Sequence, residues 1–335
     1  MTSPRLSAVI NTYNRRDMLL RCLDALTRQS LDQSLWEIVV VDDGSTDGAI
    51  EAVGQWAAAH PGVPLTGVAC EHRGYGAARN AGIRAARGDI LLFLGDDILL
   101  WPGTLEEHLR EHDRFPDERV GVLGYVCWHP DLQSPVTDYA AESGFGFEIM
   151  LRAGKQIAPW HAFYTCNVSV KRRLLERAGG FNEAMGFSSY DDTELGYRLA
   201  RDYGLVLRLN YNAGAFHYHP LDARALRERL RGRRRLMAPL FTQHPELAGL
   251  SRNHLAFRYR LLNLAGLLCR PFEPVLTMMI RLLISIRLRG WEAYPLAGEC
   301  PQIRCDALAP DCEKQSAAAA REESLAVSTN HEATP

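Results

Sequence analysis

Four short apolar runs alternate with amphipathic helical segments over the first hundred residues, and this alternation limits the fold more than any other feature. The apolar runs cover residues 6–11, 37–41, 65–69 and 90–94. Between them, residues 17–29 and 76–86 carry helical spacing, and a further helix carries Ile50, Val53 and Trp56. Such alternation is typical of βαβ units and of a mainly parallel sheet flanked by helices. The sequence therefore predicts an α/β fold.

Composition places the chain among ordinary globular proteins. It has 335 residues, is 47% hydrophobic and carries a formal net charge of -2, which gives no global signal for nucleic-acid binding. Eight cysteines form no close pair of the CxxC type, so reduced thiols and a cytoplasmic location are expected. No apolar signal-peptide core precedes the first strand, and no run of 18 uncharged apolar residues predicts a membrane span.

Two adjacent carboxylates end the fourth apolar run. Gly95 terminates residues 90–94, and Asp96 and Asp97 follow directly. In open α/β sheets, ligands bind outside the carboxyl ends of the strands, where paired oxygens can hold a divalent cation that also contacts phosphates. The alternative is a solvated strand end whose aspartates cap the next helix.

Three known classes of α/β protein fit the sequence poorly. A Rossmann dinucleotide-binding domain would place G-x-G-x-x-G after strand one, but residues 11–16 contain no glycine. A phospho-receiver domain is one small unit, whereas this chain continues far beyond its acidic strand ends. A nucleotidyltransferase would need a lysine- and glycine-rich loop after strand one, which is absent.

Four motifs in order resemble the nucleotide-sugar-binding half of family-2 glycosyltransferases, which have the GT-A fold. They lie at residues 9–14 (VINTYN), 39–47 (VVVDDGSTD), 76–83 (GAARNAGI) and 93–97 (FLGDD). Acceptor-side segments of the same family resemble residues 165–172, 179–183 and 190–199. The resemblance implies a Rossmann-like, mainly parallel sheet and a transferase that uses a nucleoside-diphosphate sugar.

The resemblance also implies roles for particular residues. Asp43 would accept hydrogen bonds from the nucleobase imide, while Asn11 and Tyr13 would surround the base and ribose. Arg79 would lie near the nucleotide. In the D-x-D position, Asp96 would face the ribose or a metal-bound water, and Asp97 would ligate the metal. The chain departs from the family at Gly95, where an acid is usual.

The second half would supply the catalytic base and a further metal ligand. The resemblance implies that the base is Asp192, at the start of a predicted helix. Acids at a helix N-terminus also interact favourably with the helix dipole, so Asp191 and Glu194 can have a purely structural role. They are also the alternative candidates for the base. Of two histidines that follow a strand-like run, His217 is favoured over His219 as the ligand or diphosphate contact.

The C-terminal quarter is strongly basic. Residues 224–235 contain seven arginines and one glutamate, and interrupted apolar blocks follow at residues 261–268 and 275–284. One interpretation is a basic helix that caps the catalytic domain. Another, which we favour, is peripheral attraction to an anionic membrane on the cytoplasmic side.

Together these features predict a GT-A catalytic domain over residues 1–222, divided into a nucleotide-sugar half (1–104) and an acceptor half (105–222). A basic helical extension (223–296) and a disordered tail (297–335) would follow. The expected activity is metal-dependent (Mn²⁺ or Mg²⁺), inverting transfer of a sugar to a hydroxyl of a glycan or lipid-linked glycan, with no nucleic-acid partner. The alternative is a catalytically inactive GT-A module that serves as a membrane-associated scaffold.

Overall fold

A mixed sheet of nine strands, covered by helices on both faces, forms the part of the chain that the computed structural model describes, residues 3–143 and 156–247. The strands are β1 (Leu6–Thr12), β2 (Trp36–Asp42), β3 (Leu65–Ala69), β4 (Ile90–Gly95), β5 (Ile98–Leu100), β6 (Val120–Trp128), β7 (Ile157–Ala158), β8 (Asn167–Lys171) and β9 (Val206–His217). The helices are α1 (Arg16–Leu26), α2 (Ala49–Ala59), α3 (Tyr75–Ala85), α4 (Thr104–Arg114), α5 (Pro135–Ser143), α6 (Arg172–Ala178), α7 (Asp191–Tyr203) and α8 (Ala223–Gln243). The predicted α/β class is confirmed.

The first four strands form a parallel unit that is buried on both faces. β1 lies between β2 and β4, and β3 pairs with the outer side of β2, all in parallel. Along β1, Ala8 and Ile10 contribute to the core that contains Leu19 of α1, whereas Val9 contributes to the opposite core with Ile83 of α3. Because both faces are covered, these strands are continuously apolar rather than alternating.

The register of these strands sets their carboxyl ends at one level. Asn11 pairs with Gly95 and Thr12 pairs with Asp42. The groups that follow β1, β2 and β4 therefore meet at one edge of the sheet, as the sequence predicts.

Antiparallel strands extend the sheet and bring the second half of the chain to the same edge. β8 runs against β4, so that Asn167 at its start pairs with Leu94 near the end of β4. β9 pairs in parallel with β6, and its last residue, His217, pairs with Ile98 at the start of β5. This pairing places the segment after β9 beside the turn that joins β4 to β5.

Helix α8 opens the basic extension. Its N-cap is Asp222, whose Oδ1 accepts a hydrogen bond from the backbone N–H of Ala225 at 2.7 Å. The remainder of the predicted extension beyond residue 247, and the predicted tail over 297–335, lie outside the described residues, and the domain boundaries stay predictions. Within the described ranges, no helix is both long and apolar enough to cross a membrane.

Gly82 lets α3 pack directly onto the parallel strands. A Cβ at this position would lie 2.4 Å from Cγ1 of Val9 and 3.1 Å from Cγ2 of Val41. Neither branched side chain can yield easily, because both are buried in the core beside α3. The close approach keeps Arg79, one turn earlier on α3, near the carboxyl edge of the sheet.

We expect Gly82→Ala to lower the free energy of unfolding by about 1–3 kcal/mol, the usual cost of overpacking a core. Gly54→Ala on α2 is the matched control, because a Cβ there meets nothing within 4 Å. That variant should be neutral or gain up to about 1 kcal/mol from helix propensity. Urea unfolding of both variants measures the difference, and equal effects would contradict the close packing of α3.

Candidate active site

The acidic turn after β4 is held by an arginine from the turn after β1. Nη1 of Arg15 donates to Oδ1 of Asp96 at 2.7 Å, and Nη2 donates to Oδ2 of Asp97 at 2.9 Å. The hydroxyl of Thr12 donates to the other oxygen of Asp96 at 2.9 Å. Both aspartates are buried. One guanidinium thus bridges the two carboxylates that the sequence singles out.

Two histidines complete a potential metal-binding group with Asp97. Nε2 of His217 and Nδ1 of His219 lie 3.3 and 3.5 Å from Oδ2 of Asp97. The three ligand atoms all lie within 4.8 Å of one another. One carboxylate oxygen and two imidazole nitrogens form a donor set that suits Mn²⁺ or another first-row metal better than Mg²⁺, which prefers oxygen ligands. The residues present therefore fit a divalent cation.

The two adjacent aspartates differ in electrostatic environment. Burial raises the pKa of Asp96 to about 7, and the guanidinium of Arg15 offsets this only in part. Burial also acts on Asp97, but hydrogen bonds from His217 and His219 outweigh it and hold its pKa well below the usual range. Asp97 is therefore the carboxylate that stays ionised, as a cation ligand must.

Gly95 makes room for the carboxylate of Asp97. A Cβ at residue 95 would lie 2.8 Å from Oδ1 of Asp97, so a side chain at this position would require the carboxylate to shift. Glycine replaces the acid that the family usually has at this position. The carboxylate of Asp97 lies beside residue 95 and close to two histidines, one at the end of β9 and one just after it.

A second cluster lies after β2 and combines Asp43 with aromatic rings. Nδ1 of His72 lies 2.9 Å from both the backbone oxygen and Oδ2 of Asp43. Because both partners are acceptors, that nitrogen carries the proton. The ring of His72 is stacked on that of Tyr13, with ring centroids 3.9 Å apart, and it also meets the tilted ring of Phe187 at 4.4 Å. Asp43 is 3% exposed, and its Oδ1 is buried without a hydrogen-bond partner in the described part of the chain.

The turn after β1 is locked to the turn after β2, which positions Tyr13. Asn14 has a positive φ of 51°, and its side-chain oxygen accepts from the backbone N–H of Thr46 at 2.8 Å. Its own N–H donates to the hydroxyl of Ser45 at 2.8 Å. Asn11, at the end of β1, donates from its side-chain nitrogen to the carbonyl of Tyr75 at 3.5 Å, and its Oδ1 is a further buried acceptor without a partner among the described residues.

Asp192 is held at the start of α7 by backbone and hydroxyl donors. Its Oδ1 accepts from the N–H of Thr193 at 2.6 Å, and its Oδ2 lies 3.3 Å from the N–H and 3.4 Å from the hydroxyl of Thr165. Thr165 precedes β8, the strand that runs against β4, so Asp192 reaches the same edge of the sheet as the acidic turn. Burial, followed by the charge of Asp191, raises the pKa of Asp192 to about 6.

The other two acids in the first turn of α7 are engaged in ion pairs. Asp191 is 1% exposed and pairs with the guanidinium of Arg79. Glu194 is fully buried, accepts from Nε of Arg198 at 2.8 Å and lies 2.9 Å from Nε2 of His244. These contacts give Asp191 and Glu194 structural partners, whereas Asp192 has only neutral donors.

The structure therefore groups the candidate residues around one edge of the sheet. Asn11, Tyr13 and Asp43 lie in the aromatic cluster, Asp96, Asp97 and His217 lie at the acidic turn, and Asp192 lies on α7. Arg79 links α3 to α7 through Asp191. The sequence predictions omitted Arg15, His72 and Phe187. Arg15 lies in the glycine-free turn after β1, and turn and loop residues such as Arg15 and His72 follow no periodic pattern that would mark them.

Comparison with known proteins agrees with this architecture. The model of the family "Glycosyl transferase family 2" matches residues 7–176, about half of the chain. The glycosyltransferase AglE of Haloferax volcanii is 38% identical over 230 residues, covering 64% of this chain and 73% of AglE. Validoxylamine A glucosyltransferase of Streptomyces hygroscopicus subsp. jinggangensis is 33% identical over 226 residues, covering 58% of this chain and 51% of the relative. The chain thus spans about half the length of the latter.

Solved structures share the fold. The mannosyltransferase PcManGT of Pyrobaculum calidifontis, in complex with GDP-Man and Mn²⁺, superposes with a TM-score of 0.51 at 24% identity over 88% of this chain and 89% of that chain. A fragment of TarS from S. aureus in complex with UDP gives 0.50 at 16% identity over 71% and 65%. The fold is the GT-A fold of glycosyltransferases. The chain belongs to glycosyl transferase family 2, which transfers sugars from nucleotide sugars.

We expect two acids of α7 to respond oppositely to substitution. Glu194→Ala should lower the free energy of unfolding by about 3–5 kcal/mol, because it leaves the largely buried Arg198 without its partner. Asp192→Asn should leave stability unchanged or higher at pH 7. A raised pKa means that the ionised form of Asp192 is disfavoured in the folded state; this cost is fully present above the folded-state pKa of about 6 and is lost as the pH falls from there to the ordinary aspartate pKa of 3.8. Denaturant unfolding measures both, and a large loss for Asp192→Asn would indicate a structural carboxylate.

Proposed function

We propose that this protein is a metal-dependent, inverting glycosyltransferase that moves a sugar from a nucleoside-diphosphate sugar to a hydroxyl acceptor. The observation that carries the proposal is the convergence of three groups at one edge of the sheet: the buried acceptor of Asp43, the triad of Asp97, His217 and His219, and the pKa-raised Asp192. The three correspond to a place for a nucleobase, a place for a diphosphate and a base.

The donor would bind with its base at Asp43. The buried Oδ1 of that carboxylate lacks a partner among the described residues and can accept a hydrogen bond from a nucleobase imide N–H, as uracil or a similar base presents. Tyr13 and Asn11 adjoin this position from the end of β1. The nucleotide complexes of the structural neighbours, GDP-Man with PcManGT and UDP with TarS, support a nucleoside-diphosphate sugar without selecting one.

The diphosphate would lie at the acidic turn. Asp97 and His217 would hold the cation, as the sequence predicts, and His219 would join them. When bound, a divalent ion acts as a Lewis acid for the leaving nucleoside diphosphate. Arg15 adds a positive charge at the same place through its contacts with both aspartates. Asp96, held by Thr12 and Arg15, would orient the ribose or a water.

Asp192 would act as the general base. Ionised, it removes the proton from the acceptor hydroxyl as the oxygen attacks the anomeric carbon from the face opposite the diphosphate, so the configuration is inverted. Its neighbours Asp191 and Glu194 are committed to Arg79, Arg198 and His244, which favours Asp192 over either. A pKa of about 6 suits a base that works near neutral pH.

The acceptor would be a glycan or lipid-linked glycan at a membrane surface. Several arginines of α8 point away from the domain and are exposed, which suits attraction to anionic lipid. They are Arg224, Arg227, Arg231, Arg234 and Arg235. A catalytically inactive scaffold is the alternative, and release of nucleoside diphosphate from a panel of nucleotide sugars, with and without EDTA, decides between them.

We expect Asp97→Ala to abolish the contribution of metal to donor binding. The substitution removes the only carboxylate of the triad, and two neutral imidazoles do not compensate a doubly charged ion. Calorimetric titration with nucleoside diphosphate, with and without Mn²⁺, measures the effect. Asp17→Ala, at an exposed carboxylate on α1, is the control and should behave as wild type. A Mn²⁺ effect of unchanged size in Asp97→Ala would exclude this metal site.

We expect Asp192→Asn to keep nucleoside-diphosphate affinity but to lower turnover by about two to four powers of ten, the usual contribution of a positioned base. In the wild type, kcat/KM should fall as the pH drops through about 6, because the carboxylate becomes protonated, and the variant should lack this limb. Asp202→Asn, in the exposed last turn of α7, is the control. Turnover near the wild-type value would assign the base to Asp191 or Glu194.

A further inference from the structure

Helix α8 is fixed at both ends and spans the side of the candidate site. Near its start, Leu226 is buried in a cluster with Trp128 and Leu221, and near its end Leu240 is buried with Met185. Between these anchors, the hydroxyl of Ser188, just before α7, donates to the carbonyl of Leu236 at 2.5 Å. The middle of the helix is therefore held beside the loop that leads into Asp192.

Two of the seven arginines on α8, here called the inward pair, contact side chains of the site; Arg229 is nevertheless exposed, and Arg233 is half-buried. Nη2 of Arg229 lies 2.6 Å from Nε2 of His219, a member of the metal-binding triad. One turn later, Nε of Arg233 donates to the hydroxyl of Tyr190 at 3.1 Å. The i, i+4 spacing sets the two side chains on one helix face, with Cβ atoms about 6 Å apart.

The ring of His219 cannot accept hydrogen bonds from both of the arginines that it meets. Nδ1 of His219 already faces Nη2 of Arg15 at 3.1 Å, so both ring nitrogens meet an arginine N–H. A neutral imidazole accepts at one nitrogen only, and a protonated one at neither. At least one of the two arginines therefore keeps a donor directed at the cleft, and no carboxylate among the described residues forms an ion pair with Arg229.

Arg233 lies on the acceptor side of the cleft. Burial raises the pKa of Tyr164 to about 12. The charge of Asp192 raises this pKa further, whereas the charge of Arg233 lowers it. Arg233 also donates to the hydroxyl of Tyr190, two residues before the carboxylate proposed as base. The donor side has its own cationic group in Arg15, and the proposed cation of the triad would add a second.

We propose that Arg229 and Arg233 form a phosphate subsite of the acceptor pocket, so that the acceptor is a phosphate ester whose hydroxyl is presented to Asp192. This inference rests on the proposed function and names its acceptor class. Arginine recognises phosphate through several parallel N–H donors, and a pair one turn apart can bracket a single phosphate group. The negative charge of the acceptor phosphate would offset the positive charge of α8. The separation between the two arginines and Asp192 would then set the distance from the phosphate to the reacting hydroxyl.

The test compares two double variants of the same helix. Arg229→Gln/Arg233→Gln removes the inward pair, and Arg227→Gln/Arg231→Gln removes an exposed pair with the same spacing and the same loss of charge. Calorimetry on full-length protein saturated with nucleoside diphosphate and Mn²⁺ uses glycerol phosphate as the probe and glycerol as its neutral counterpart. We expect the inward variant to lose about tenfold or more in glycerol phosphate affinity, and the exposed variant to lose less than about twofold.

Three results would overturn the subsite: no measurable binding of glycerol phosphate by wild type, equal losses in the two double variants, or a loss of nucleoside-diphosphate affinity as large as the loss for the probe. The last result would assign the arginines to the donor. If the double variant does not fold, Arg233→Lys, which keeps the charge, takes its place. We expect this variant to lose about threefold or more in affinity for glycerol phosphate. An affinity equal to that of the wild type would also overturn the subsite. Donor binding and EDTA-sensitive donor hydrolysis report separately on the proposed function.

Discussion

The register of β1 against its two parallel neighbours positions every group of the candidate site. Because Asn11 pairs with Gly95 and Thr12 pairs with Asp42, the chain leaves the sheet at one level after each strand. A shift of one residue would turn the apolar side chains of a strand from one core to the other, so burial on both faces fixes this register strongly. The antiparallel approach of β8 then brings Thr165, and through it Asp192, to the same level.

The edge so formed concentrates buried charge, and most of that charge is paired. Arg15 bridges Asp96 and Asp97, and Arg79 pairs with Asp191. Such pairs add little net stability, but the loss of one partner is costly, so they mainly fix geometry. Oδ2 of Asp97 already faces Arg15 and two imidazoles. If Asp97, His217 and His219 hold a divalent cation, as proposed, that cation would compete with Arg15 for this oxygen.

Features that depend on local pattern were predictable from sequence. The βαβ alternation follows from apolar runs and helical spacing, and the acidic turn follows from Asp96 and Asp97 at a strand end. Contacts between distant segments were not. Arg15 meets Asp96 across 81 positions, and His72 meets Asp43 across 29, in loops whose side-chain directions no periodicity reports. The split of the α7 acids into paired and unpaired groups likewise required the positions of Arg79, Arg198 and His244.

The arginine run illustrates why composition alone does not assign a partner. On a helix, successive residues are rotated by about 100°, so a dense run of one charge necessarily covers several faces. The anchors at Leu226 and Leu240 decide which face meets the domain, and they select Arg229 and Arg233. The same segment can thus cap the catalytic domain, present charge to an anionic surface and supply donors to the cleft. These interpretations are compatible, because each uses different side chains of one helix.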